Sequence, residues 1–258
     1  MLFSAIALTP FLYASYKIIP LNKWPLIMFV GFLGSFLPAF MYPWAQQKIS
    51  SSLAGIINAF TPICTYAIGI LIFQVKSEKM KVMGSLIAFA GAIVLIAFKP
   101  GAEFRAEALY LLVAFMVPFL YGLNGNMIKS KLSDFSGLQM TATMYISLLI
   151  FSIPLCFYTG AFQQIPISLA KGNAFYHLLA LSVLGSALAM ALFNILIKRV
   201  HVLFAASVTY LMPLVSIVVG WLDGEKIGWN DILGFSFILV GVLIMNGVMK
   251  NKEIEKPQ

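Results

Sequence analysis

The chain has 258 residues, of which 61% are hydrophobic and only 10% charged. An ordinary globular domain carries about a quarter charged residues, so this composition excludes a soluble fold and defines an integral membrane protein. The net charge of +8 does not point to nucleic acid, because the basic residues fall in short intervals between apolar runs and at the C-terminus, where they act as a topology signal.

Nine apolar segments follow in chain order, at 1–16, 24–45, 51–73, 82–98, 108–128, 139–158, 174–197, 203–222 and 232–248. Most approach the ~20 residues that span a hydrocarbon core as a helix. A membrane barrel is excluded, since its strands would alternate over about ten residues. The expected fold is therefore an all-α polytopic bundle of nine helices. The first segment, MLFSAIALTPFLYASYK, has no basic leader region and no small-x-small cleavage site. It reads as a true helix that the chain enters part-way, with a preceding segment missing, rather than as a cleaved signal peptide. Connections are short except at 160–172, and the tail KNKEIEKPQ (250–258) is polar.

Counting Lys and Arg on alternate sides gives twelve against five. Lys17, Lys76, Lys81, Lys129, Lys198 and Lys250 belong to the richer side, Lys48 and Lys99 to the poorer. The richer side is cytoplasmic, which places the C-terminus inside and, over nine crossings, the N-terminus outside. Cys64 and Cys156 each lie in an apolar run and read as small buried hydrophobes.

Shifted by 151 positions, the sequence repeats itself. VGFLGSFL (30–37) falls on LSVLGSAL (181–188), so that Gly34 and Ser35 match Gly185 and Ser186. In the same register Pro62 matches Pro213 and Gly69 matches Gly220; after a one-residue gap Gly84 and Gly91 match Gly234 and Gly241. The second copy, 106–249, holds five segments and the first, 1–99, holds four, with the missing one at its start. A five-helix unit crosses the membrane an odd number of times, so consecutive copies have inverted topology, a design common in secondary transporters.

The stretches ISSSLAGIINAFTPICTYAIGILIF and GSLIAFAGAIVLI, with their counterpart HVLFAASVTYLMPLVSIVVGWLDGEKIGWNDILGFSFILVGVLIM, resemble the EamA branch of the drug/metabolite transporter superfamily. GEKI resembles the Gly-Glu pair of that family before its last helix; the first copy departs here, with FQVKSEK. The resemblance covers nearly the whole chain. It implies ten helices in two inverted five-helix repeats with both termini cytoplasmic, of which this chain would then lack the first helix.

Candidate functional residues fall into two groups. The first shapes helices: Pro62 and Pro213 remove a helix hydrogen bond and kink their segments, while Gly34, Ser35, Gly185, Ser186, Gly69 and Gly220 allow close approach. Gly84/Gly91 and Gly234/Gly241 stand seven apart on one face, which fits packing or a homodimer contact. The second group is polar within apolar runs: Tyr42, Asn58, Thr61, Thr65, Tyr66, Tyr121, Asn124, Asn194, Thr209 and Tyr210 are the substrate-cavity candidates, with Gln46, Asn126, Thr143 and Tyr145 in the wider set. Asn58 lies four before Pro62 and Thr209 four before Pro213, one turn away on the same face. Each competes with a role in interhelical hydrogen bonding.

No Asp, Glu, Lys or Arg falls in the middle of a segment, so no ion-coupling group is evident. Transport would be downhill, or the coupling group would lie in the missing helix. Lys129 and Arg199 read as topology anchors, and His177 as an interfacial residue. No nucleotide, zinc-protease, hydrolase or CxxC motif occurs, and neither an enzyme nor a cofactor nor a metal is expected. The expected function is alternating-access transport, as permease or exporter, of small organic metabolites, amino-acid-like solutes among them. Its partners would be the lipid bilayer of a bacterial plasma (inner) membrane and the solute, with no nucleic acid. A non-transporting scaffold or a transporter remnant is the alternative.

Overall fold

A computed structural model describes residues 1–76, 78–98, 107–163, 173–212 and 228–253, with 215, 218 and 222 singly. Among the described residues every element is helical. Helix α1 (Leu2–Ile18) carries Pro10 internally. A 3-10 turn leads into α2 (Trp24–Gly31), where Pro25 occupies the first turn, a position whose N–H has no helical partner. A π-helical turn, Phe32–Phe36, joins α2 to α3 (Leu37–Ala45). Next come α4 (Ser51–Ala59), α5 (Thr61–Leu71), α6 (Lys79–Ala97) and α7 (Ala108–Lys131). They are followed by α8 (Gly137–Ser147) and α9 (Leu149–Tyr158). Helix α10 (Asn173–Ala180) runs through a second π-helical stretch, Leu181–Leu188, into α11 (Ala189–Arg199). The short α12 (Val202–Ala206) passes into a 3-10 turn, Ser207–Tyr210, and α13 (Trp229–Glu253) closes the series. Serines cap two starts: Ser50 accepts from the Leu53 N–H and Ser136 from the Gln139 N–H, each meeting a donor that the first helical turn leaves open.

Among the described residues six helical stretches are long and apolar enough to cross a membrane: Leu21–Ala45, Leu53–Leu71, Lys79–Ala97, Ala108–Lys131, Gly137–Tyr158 and Phe175–Arg199. Leu2–Tyr13 and Trp229–Met245 are shorter apolar helices. Much of the expected segment 203–222, with Pro213 and Gly220, lies outside the described residues. The helices are apolar outward as well as inward. On α7, Leu109, Leu112, Met116 and Phe119 form an exposed stripe at helical spacing, while Ala114, Val117, Asn124 and Asn126 on the same helix are buried. A water-facing helix would show polar residues on its open side.

The described chain divides into two compact units, Met1–Phe36 with Met127–Val200, and Leu37–Asn126 with His201–Gln258. In the first, α8 packs against α1, α2 and α11. Helix α1 runs antiparallel to α8 and α9: Ser15 Oγ donates to the Gln139 carbonyl at 3.1 Å, and Ser152 Oγ faces Met1 Sδ at 3.6 Å. Gly137 lets α8 and α11 touch at the backbone, since a methyl there would come within 2.6 Å of Ile195 N.

In the second unit α6 and α13 form the principal antiparallel pair. A methyl on Gly84 would sit 2.6 Å from the Gly241 carbonyl oxygen, and one on Gly91 2.7 Å from that of Gly234. The four glycines face one another inside the chain, so of the two roles expected for them packing is the one they perform. Ala59, Ala88, Ala92, Leu95, Tyr210 and Ile238 cluster beside this contact.

Candidate functional site

The segment around Pro62 is a helix restart. Helix α4 ends at Ala59, Phe60 stands between at φ −75°, ψ −10°, and α5 begins at Thr61 with Pro62 in its first turn. Proline lacks the N–H that would have closed on the Asn58 carbonyl four residues back. Thr61 Oγ1 donates to that carbonyl at 2.6 Å, and Thr65 Oγ1 donates to the Thr61 carbonyl at 2.8 Å. The threonines thus answer the backbone opening that the proline makes. Asn58 is half-buried, and its Nδ2 donates to Met212 Sδ at 3.2 Å. Thr209, at the matching place in the second copy, donates to the Ala206 carbonyl at 3.0 Å within the 3-10 turn.

Helix α7 lies against this restart. A methyl on Gly122 would meet Thr65 Cα at 2.9 Å, so the two backbones touch. Asn126, one turn on, is buried and donates through Nδ2 to the Thr65 carbonyl at 2.9 Å and to the Gly122 carbonyl at 2.8 Å. A methyl on Gly69 would come to 3.0 Å from Asn126 Oδ1, which is why that position is small. Asn124 is buried with Oδ1 unpartnered among the described atoms; Tyr121, one turn before it, is half-buried.

The tyrosine candidates hold internal partners. Tyr42 Oη donates to the Ala54 carbonyl at 2.6 Å. Tyr66 Oη accepts from the Glu78 N–H at 2.6 Å. Tyr210 is fully buried and donates to the Ser85 carbonyl at 3.0 Å, with Ser85 Oγ 3.2 Å away. A solute would have to displace these contacts to use the hydroxyls.

Asn194 belongs to the first unit. It is fully buried on α11; its Nδ2 donates to Thr141 Oγ1 at 2.8 Å and its Oδ1 has no partner among the described residues. An unmet buried acceptor costs about 1–3 kcal/mol. The two LGS triplets both lie in π-helical turns, geometry rare in proteins and frequent at functional sites. Gly34 and Ser35 are buried; Gly185 is exposed and Ser186 half-buried. Ser186 Oγ reaches the Leu181 carbonyl five residues back at 3.5 Å.

Two basic arrangements were not legible as such. Lys81 is 5% exposed and pairs with Glu78 Oε1 at 2.9 Å. Its signal was the Glu-x-x-Lys spacing at the start of α6, but the charges read as an open loop. Lys129 Nζ donates to the Lys198 carbonyl at 2.8 Å, and Lys198 Nζ to the Leu132 carbonyl at 2.7 Å. Each lysine serves a carbonyl at or just past the C-terminal end of the other's helix, a stronger tie than a snorkelling anchor makes. Among the described residues no cluster of His, Cys, Asp and Glu could hold a metal ion.

Apolar helices of membrane-spanning length, apolar on their exposed faces and joined by buried uncharged polar groups, define a multi-pass membrane protein. The chain belongs to the EamA-like transporter family, whose sequence model matches residues 1–97 and 108–247, and it is a membrane transporter of that family. A probable terminal-alkyne amino-acid exporter of Streptantibioticus cattleyicolor is 22% identical over 225 residues, 86% of this chain and 73% of the exporter. An uncharacterized transporter encoded in the sor 3′ region of Acidianus ambivalens is 26% identical over 199 residues, 76% of this chain and 74% of its own. A solved crystal structure matches with a TM-score of 0.68 at 16% identity, over 99% of this chain and 89% of that one, a likeness of fold.

Proposed function

We propose that the chain moves small organic solutes, amino-acid-like compounds among them, across a bacterial plasma membrane. It does so by alternating access between two inverted repeats, 1–99 and 106–249, with the C-terminal tail in the cytoplasm. The observation that carries the reading is the glycine contact between α6 and α13. Gly84 is the repeat counterpart of Gly234, and Gly91 of Gly241, yet the contacts are Gly84 with Gly241 and Gly91 with Gly234. Counterparts exchanged in this way are what a two-fold axis through the contact requires. Matched helices that pack antiparallel enter a bilayer from opposite sides, which is inverted topology. The two separate stretches matched by the family model and the paired π-helical LGS turns support the same reading.

The solute path is assigned to the uncharged polar residues beside the helix restart, Asn58, Thr61, Thr65 and Thr209, with Tyr121 and Asn124 of the same unit. The amino-acid exporter named among the relatives supports an amino-acid-like solute. Flux through proteoliposomes of wild type, Asn58→Leu and Thr209→Leu tests the site. Each substitution is expected to lower flux without altering the gel-filtration profile; wild-type flux in both removes the two residues from it.

A further inference from the structure

We infer that the first unit carries a binding site for an anionic glycerophospholipid, held by Lys129, Lys198 and Arg199 where the ends of α7 and α11 meet. Within that unit, residues 1–36 and 127–200, Asp134 is the only Asp or Glu, while Lys17, Lys23, Lys129, Lys131, Lys198 and Arg199 supply the opposite charge. The fold draws these cations to one end. Ser15 Oγ meets the Gln139 carbonyl at 3.1 Å, which sets the close of α1 beside the start of α8. A methyl on Gly137 would come within 2.6 Å of Ile195 N, which brings the close of α11 there too.

Lys129 and Lys198 are held in place by each other's helix. Nζ of Lys129 donates to the Lys198 carbonyl at 2.8 Å, and Nζ of Lys198 to the Leu132 carbonyl at 2.7 Å. Each ammonium has three N–H donors, so two remain on each. Both lysines are half-buried and Arg199 is exposed. Among the described residues none of the three is in an ion pair; the Asp134 carboxylate accepts from Ser133 Oγ at 3.1 Å instead. Charge partly removed from water calls for a counter-charge, and here it has to come from outside the chain.

The surroundings define the anion. Leu188, Leu192 and Arg199 are exposed on one face of α11, so an aliphatic stripe runs up to the guanidinium. At the same end exposed Tyr16 packs edge-on against Trp24 at 6.5 Å, and Trp24 Nε1 donates to the Ile19 carbonyl at 3.3 Å. Such amphipathic rings mark the level of lipid headgroups. The ligand therefore carries acyl chains beside its anionic group, which dissolved phosphate does not. A phosphodiester with no ammonium of its own, as in phosphatidylglycerol, takes the spare donors in charge-assisted bonds. Phosphatidylcholine would bring a second cation to a cationic site.

The full chain, purified in a neutral detergent, is titrated with phosphatidylglycerol, phosphatidylcholine or inorganic phosphate, and native mass spectrometry counts the molecules bound. Phosphatidylglycerol is expected to bind at least about 10-fold more tightly than phosphatidylcholine. Arg199→Gln is expected to weaken it about 5-fold, and Lys198→Gln in addition about 20-fold in all. Arg199→Lys, which keeps the charge, is expected to stay close to wild type, as is Lys48→Gln in the second unit. Where loss of the Lys198 cap unfolds the chain, Arg199→Gln alone decides, since that side chain makes no hydrogen bond among the described residues. Equal binding of the two lipids overturns the inference. So does a loss in Lys48→Gln as large as in Arg199→Gln, which would make the attraction one of overall charge. Inorganic phosphate that binds as tightly as phosphatidylglycerol overturns the lipid assignment.

Discussion

The proline at 62 and the threonine before it act together. Pro62 supplies no N–H for the Asn58 carbonyl, and the Thr61 hydroxyl at 2.6 Å takes that acceptor over. Thr61 is itself buried, so no water replaces the hydroxyl if it is lost. Thr61→Val is therefore expected to cost about 1–3 kcal/mol, read as a lower melting temperature in detergent, with Thr61→Ser close to wild type. Pro62→Ala returns the N–H and lets α4 and α5 fuse into one helix. It is expected to reduce flux while the melting temperature holds or rises; unchanged flux would show that the restart has no part in transport. This restart was legible, because proline announces itself. The break at Leu148 was not. There the Leu148 carbonyl takes the Ser152 N–H at 3.0 Å and Ser152 Oγ at 2.9 Å. Such back-bonding bends a helix without any helix-breaking residue type at the bend.

Glycine spacing names a face but not what covers it. Gly84/Gly91 and Gly234/Gly241 were legible as two small-residue stripes, and packing and dimerisation were equally open. The fold brings the stripes onto each other, carbonyl against Cα, with under 3 Å for any added methyl. Backbone cannot give way as a side-chain tip can, so Gly84→Ala or Gly91→Ala must push α6 and α13 apart, at about 1–3 kcal/mol each. Gly185→Ala is the control: its methyl would meet only the Leu181 Cδ1 tip at 3.1 Å. Thermal unfolding of the three variants should separate two destabilised proteins from one near wild type. The LGS triplets were likewise legible as a repeat, while their π-helical form was not, since the extra residue in the turn leaves no mark on residue type. Burial of the Glu78–Lys81 pair was hidden for a different reason. The chain folds back after α5 through Gln74 at φ +54° and a Val75 N–H to Gly69 carbonyl bond at 2.9 Å. Nothing in FQVKSEK distinguishes that compact turn from an open loop.

At the scale of the molecule the sign and place of charge set orientation. Under the proposed topology twelve Lys and Arg residues fall on one side of the apolar segments and five on the other, and the positive-inside rule assigns the richer side to the cytoplasm. Lys131, at the end of α7, belongs to that side, and Lys48, after α3, to the other. Both are exposed, so both can carry a thiol probe. Lys48 pairs with Glu107 at 3.2 Å with both side chains about half open, and an exposed pair contributes only about 0–1 kcal/mol. Lys48→Cys should therefore fold normally. The two native cysteines need handling: Cys64 is buried and Cys156 partly open, so both are first replaced by alanine. In that background a membrane-impermeant maleimide added to intact cells is expected to label the Lys48→Cys protein and spare the Lys131→Cys protein until the cells are opened. The reverse pattern would invert the molecule. Labelling of both positions in intact cells would mean that the chain occupies the membrane in two orientations, and the charge asymmetry would then be too weak to fix the direction in which a solute is carried.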